Sequence, residues 1–298
     1  MSAHDPSKLN RRDFLVGTMA AGATLAAGRV AALEPDKPWF QISLAEWSLH
    51  RSISGGQMTN LDFPKVARRT YGIDAVEYVN QFWKDKATDD KYLAELKSIC
   101  EGEGVKSVLI MCDGEGSMGD PDAAARYKTV ENHYRWLWAA KYLGCHSIRV
   151  NAYSKGTPEE QAKLCADGLA QLGQYAATLK LGVIVENHGG ISSHGDWLAG
   201  VMRKVGMKNV GTLPDLGNFY EYDRYQGVTD MMPFAKGVSA KSHDFDAQGN
   251  ETGIDYKRML DIIKKAGYRG RLGIEYEGDR MSEPDGIRAT RALLERLR

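Results

Sequence analysis

Four segments of the chain close on side chains that can hold or move charge: Val183-Ile184-Val185-Glu186, Thr212-Leu213-Pro214-Asp215, Val238-Ser239-Ala240-Lys241-Ser242-His243 and Leu272-Gly273-Ile274-Glu275. The closing residues lie 29, 28 and 32 positions apart (215−186, 243−215, 275−243), about one strand-plus-helix unit each. Three carboxylates gathered at one place repel one another, and each is costly to desolvate without a counter-charge. A divalent cation would relieve both costs. Three oxygen donors and one imidazole suit a hard or borderline ion, Mn2+ first, with Mg2+, Co2+ or Zn2+ also accommodated. The spacing therefore predicts one divalent metal ion held by Glu186, Asp215, His243 and Glu275. The bland alternative is a set of strand-end residues that pair with Lys241 or with arginines.

For those side chains to converge, the segments carrying them must be neighbouring strands. Short apolar, β-branched runs recur at 40–47, 73–79, 105–112, 147–151, 182–186, 210–215, 238–243 and 272–275. Between them, stretches such as 89–101, 123–143, 158–181 and 255–266 repeat apolar residues at three- and four-residue steps, the helical period. Gly144, Gly182 and Gly267 fall where left-handed helix caps belong. Eight alternating units predict a single-domain α/β fold, the (β/α)8 TIM barrel. An open sheet would more often carry a glycine-rich phosphate loop, and Ser52-Ile53-Ser54-Gly55-Gly56 has neither GxGxxG nor a P-loop lysine. In a closed barrel the strand ends surround one axis, so Trp47, Glu77, Asp113 and Asn151 would join the four closing residues in a single layer.

The segments VIVENHGG, LPDLGNF, AKSHDFD and GIEYEG give the chain beyond residue 40 a recognisable pattern. It resembles the xylose isomerase-like TIM barrels, the sugar phosphate isomerase/epimerase superfamily. The resemblance implies that Glu186, Asp215, His243 and Glu275 are metal ligands. It also implies that Glu186 and Glu275 are the catalytic pair, moving a proton beside a carbonyl through an enediolate that the metal stabilises. His188, Lys241, Glu77, Asn151, His50 and Trp47 are then expected to touch substrate. Many ketose epimerases of this kind carry a histidine after the strand-six aspartate and an arginine after the strand-seven histidine. Here Asn218 stands near the first position and no early arginine follows His243. The expectation is a metal-dependent isomerase or epimerase for an unphosphorylated carbohydrate. The alternatives are a lyase or hydrolase on an oxidised, 3-keto sugar or glycoside, and a non-catalytic sugar-binding barrel.

Lys plus Arg equals Asp plus Glu at 39 each, so no net field draws the chain to nucleic acid. Cys100, Cys112, Cys145 and Cys165 show no CxxC spacing, which argues against a zinc knuckle. Paired Arg11-Arg12 precede Phe14-Leu15 and an Ala- and Gly-rich run that ends in small residues at Ala31-Ala32. That order predicts a twin-arginine signal over 1–32, with the barrel over 33–298. The apolar run is roughly 14 residues, short of the about 20 that span a bilayer, so no stable membrane anchor is expected. The twin-arginine export machinery would be a partner, the periplasm the destination, and a homo-oligomer remains open.

Overall fold

The computed structural model describes residues 38–298, so the expected signal segment lies outside the described residues. Eight strands run β1 (Gln41–Ala45), β2 (Ala75–Val79), β3 (Lys106–Met111), β4 (Ser147–Val150), β5 (Gly182–Glu186), β6 (Val210–Leu213), β7 (Val238–Ser242) and β8 (Arg271–Tyr276). All regular pairings are parallel, in the order β6-β5-β4-β3-β2-β1-β8-β7. The ring closes between β6 and β7 through single bridges, Thr212 to Ala235 and Asp215 to Ser239. There the Ser239 N–H donates to the Pro214 carbonyl at 2.9 Å and the Leu216 N–H donates to the Ser239 carbonyl at 3.1 Å. This is the TIM barrel expected from the eight alternating units.

Strands β2, β5 and β7 are buried at every residue, as befits parallel strands covered by helices outside and side chains inside. Alternation sorts β7: Ser239 and Lys241 face the barrel axis, while Ser242 reaches outward to the Thr290 hydroxyl at 2.6 Å on the helix Glu283–Arg296. Ala45, Ala75, Val79, Leu109, Met111, Ile184 and Leu213 belong to a small apolar cluster separate from the main core between strands and helices. Charged side chains occupy the C-terminal end of the barrel beside it.

Helix starts carry their own caps. Asp122 accepts from the Ala125 N–H, and Thr157 with Glu160 forms a reciprocal capping box. The helix expected over 158–181 ends at Thr178, and Lys180, at φ 59°, carries the left-handed turn in place of Gly182, which is already the first residue of β5. The first strand is also shorter than expected. It stops at Ala45, and Trp47 falls in a short 3-10 turn, Glu46–Leu49, that folds over the barrel mouth.

Glu46 within that turn is fully buried. Its Oε2 accepts the Val79 N–H at 2.8 Å and its Oε1 has no partner. Burial pushes this carboxyl up to about 8, against the lowering effect of the Val79 N–H. A carboxyl neutral in the fold but titrating at its ordinary 4.5 in the unfolded chain stabilises fully below that value. The contribution is lost as pH rises through about 8. Glu46→Gln keeps an acceptor for Val79 and cannot ionise. We expect it to raise the unfolding temperature at pH 9, by on the order of 1–3 kcal/mol in stability, with the difference vanishing towards pH 4. An equal shift at both pH values would contradict this.

Candidate active site

Glu186 at the end of β5, Asp215 just after β6 and Glu275 in β8 offer carboxylate oxygens that all lie within 4.8 Å of one another. All three side chains are buried. On spacing alone this triad could hold a metal ion. Each of its oxygens, however, already meets a protein partner. The Asn218 Nδ2 donates to Glu186 Oε1 at 3.2 Å, and the Arg149 Nε stands 2.8 Å from Glu186 Oε2 as an ion pair outside hydrogen-bond alignment. The backbone N–H groups of Gly217 and Asn218 both donate to Asp215 Oδ1 at 2.8 Å. The Ser239 hydroxyl lies 2.7 Å from both Asp215 Oδ2 and Glu275 Oε2, tying the two strands that flank β7 to its centre.

The remaining oxygen belongs to Lys241. Its ammonium donates to Glu275 Oε1 at 3.1 Å and Glu277 Oε2 at 2.9 Å, and lies 3.7 Å from Asp215 Oδ2. Only 2% of Lys241 is exposed, and these carboxylates hold its ammonium well above the ordinary lysine range despite burial. Burial pushes Glu186 well above the carboxylate range against the Arg149 charge, and lifts Asp215 to about 6 against Lys241. Glu275 is also pushed up by burial, but Lys241 and the Ser239 hydroxyl outweigh it and leave the group below its ordinary value.

His243, the expected imidazole ligand, is not brought to the triad; it is exposed. Strand β7 ends at Ser242, one residue earlier than expected, and the Glu277 N–H takes the Ser242 carbonyl. The chain then turns outward, and Gly278 packs so closely that a Cβ there would overlap the His243 carbonyl oxygen. Three of the four expected ligands are thus assembled, and a lysine ammonium, which can donate but not ligate, stands where positive charge is needed. A dication and an ammonium about 4 Å apart repel by roughly 8 kcal/mol at an effective dielectric of about 20. With Lys241 in place, these surroundings do not fit the expected Mn2+ ion.

A cavity of about 260 Å³ opens beside the triad at the barrel mouth. Trp47, Asn151, His188 and Glu275 are among the residues that line it. Glu186, Asp215 and Lys241 do not; they are buried outside its lining. His50 also falls outside the lining, where it stacks on Trp47 with ring centres 4.8 Å apart and its Nδ1 is 2.7 Å from the Trp47 carbonyl. Glu77 also lies outside the lining. It precedes by two residues the strand position, Val79, that reaches the cavity, and it borders a different hollow beside Lys106, His146 and Arg271. Ser43 donates to it at 2.5 Å, burial pushes it up to about 7, and a Cβ at position 273 would come within 2.5 to 2.7 Å of its carboxyl atoms, so Gly273 makes its room.

Arg149 and Glu277, both lining the cavity, were not singled out from sequence. The Arg149 guanidinium donates to Asp113 Oδ1 at 2.6 Å, and the Trp47 indole N–H donates to Glu277. The signal was the two-residue period: Arg149 precedes Asn151, and Glu277 follows Glu275, on the same strand faces. His188 is held below the ordinary imidazole range by burial and by Arg149, and its Nδ1 lies 2.9 Å from the Tyr153 hydroxyl.

These contacts separate two substitutions. Arg149→Met leaves Glu186 and Asp113 without their buried cation and should cost about 3 kcal/mol or more. His243→Ala removes an exposed side chain and should stay within about 0.5 kcal/mol of the parent. Urea unfolding measures both, and comparable losses in the two variants would contradict this arrangement.

Comparison with known proteins agrees with the fold. A 49-residue stretch is 45% identical to the C-glycoside deglycosidase alpha subunit of Arthrobacter globiformis, covering 16% of this chain and 14% of that protein. The chain therefore spans only a small part of that relative. Among solved structures, the IOLI protein with a bound zinc atom superposes with a TM-score of 0.70 at 14% identity, over 86% of this chain and 97% of that one. The 3-keto-D-glucoside 4-epimerase of E. coli does so with a TM-score of 0.65 at 17% identity, over 87% of this chain and 100% of that one. At these identities the structural likeness carries the fold alone. The xylose isomerase-like TIM barrel family model matches residues 66–297, and the chain belongs to that family.

Proposed function

We propose that the protein is a sugar isomerase or epimerase that moves a proton beside a carbonyl of an unphosphorylated carbohydrate, through an enediolate. The observation that carries this reading is the pairing, in one cavity, of the Glu275 carboxylate with the Arg149 guanidinium. Glu275 is held below its ordinary range, so it is ionised at neutral pH and able to accept a proton. A carbon acid next to a carbonyl ionises only if the developing oxyanion meets positive charge, and a guanidinium fixed by Glu186 and Asp113 is preorganised for that task. The neutral His188 imidazole reaches the same cavity from β5, three strands around the ring from β8, and can exchange a proton on another side of the substrate. Trp47 offers an apolar ring face for sugar C–H groups.

The charge balance supports a neutral substrate. Asp113, Glu275 and Glu277 place three carboxylates against the single guanidinium of Arg149 in the cavity lining, which disfavours a phosphate dianion. Export of the folded chain to the periplasm by the twin-arginine route, as residues 1–32 suggest, fits the same choice.

A second reading is favoured by the local identity with the deglycosidase subunit. On a 3-keto-glycoside, the same proton removal by Glu275 gives an enolate that expels the group from the neighbouring carbon, with the leaving group taking up a proton. Incubation in D2O with free ketoses and with 3-keto-glycosides separates the two. Deuterium in an intact sugar supports isomerisation, release of the aglycone supports elimination, and neither outcome across a broad panel would refute both. Glu275→Gln should slow whichever reaction is found by about 10²–10⁴-fold; full activity in the folded variant would remove Glu275 from the mechanism.

A further inference from the structure

We propose that the Lys241 ammonium, together with the Arg149 guanidinium, supplies the positive charge of this centre, so that the protein binds no divalent ion there and works without one. The assignment of a reaction rests on the function proposed above; the assignment of the charge does not. It stands on three features of the site.

The first is the position of Lys241. On β7 its side chain follows Ser239 onto the inner face, and its ammonium reaches carboxylates of three different residues, Asp215, Glu275 and Glu277. A divalent ion bridging Asp215 and Glu275 would have to share that space. The second is the state of the oxygens. Asp215 Oδ1 accepts from two backbone N–H groups and Glu275 Oε1 from Lys241, the Ser239 hydroxyl stands 2.7 Å from the second oxygen of each, and Glu186 is divided between Asn218 and Arg149. A centre built around an ion would leave ligand oxygens facing one another without donors between them. The third is the missing nitrogen ligand, since His243 lies exposed beyond the end of the strand.

Five carboxylates face these two cations, Asp215, Glu275 and Glu277 around Lys241 and Asp113 and Glu186 around Arg149. The two cations then divide the work. Arg149 lines the cavity and can meet a substrate oxygen. Lys241 is buried outside the lining and acts as a positioning residue, fixing Glu275 and Glu277 and keeping Glu275 ionised.

The test is metal uptake. The protein, purified without metal-affinity resin, is dialysed against a chelator and then equilibrated with Mn2+ or Zn2+ alone. The parent should hold no more than about 0.1 ion per chain and show no thermal shift, whereas Lys241→Met should take up about one Mn2+ per chain and gain thermal stability from it. Methionine keeps the packing of the lysine stem; should that variant fail to fold, Lys241→Gln, which retains a donor, takes its place. About one ion per chain in the parent would overturn the proposal, as would a folded position-241 variant that takes up none. A parent free of metal that exchanges no sugar proton in D2O would refute the proposed function and leave this assignment standing.

Discussion

A carboxylate taken out of water must find a cation or accept a proton, and the mouth of this barrel is organised by that requirement. Glu186, Asp215 and Glu275 come from three strands and meet where the ring closes. They can do so because Arg149 and Lys241 come inward with them and because Ser239 bridges Asp215 and Glu275. The closing seam between β6 and β7 is short, and the residues that bridge it, Asp215 and Ser239, are the same ones that join the charged network. Closure of the fold and compensation of charge are therefore one structural event. Loss of either cation would leave a buried carboxylate to protonate or to push its strand away.

The cavity inherits its character from that network. Glu275 belongs to both, buried among cations at one end and lining the cavity at the other. Its carboxylate stays ionised because Lys241 holds it, and the neighbouring guanidinium stays fixed because Glu186 and Asp113 hold that. A base and an electrostatic partner are thus set at fixed separation before any substrate arrives, the arrangement by which proton transfer from carbon is made accessible. The surplus of carboxylates in the lining turns away anions, and the Trp47 ring offers a face to sugar C–H groups.

Much of this was legible in the sequence, and the rest was hidden for physical reasons. The spacing of Glu186, Asp215 and Glu275, one unit and then two (215−186 = 29, 275−215 = 60), disclosed both the barrel and the triad, because strand ends in a closed ring must converge. His243 lies one residue beyond the end of β7 at Ser242 and is exposed, a placement that spacing along the sequence does not reveal. The depth of Glu77 was hidden, since side-chain alternation gives the face of a strand but not the layer. Arg149 and Glu277 were present on the correct faces two residues from noticed positions. The pairing of strand-end carboxylates with Lys241 or arginines was the other arrangement that the same residues allowed.

The account stands on which cation occupies the space between Asp215 and Glu275. A crystal structure of the protein grown in the presence of Mn2+, with diffraction recorded at the manganese absorption edge, observes this directly. The account predicts Lys241 in density between those carboxylates and no anomalous peak within the triad. An anomalous peak bound by Glu186, Asp215 and Glu275, with the Lys241 side chain displaced, would contradict it.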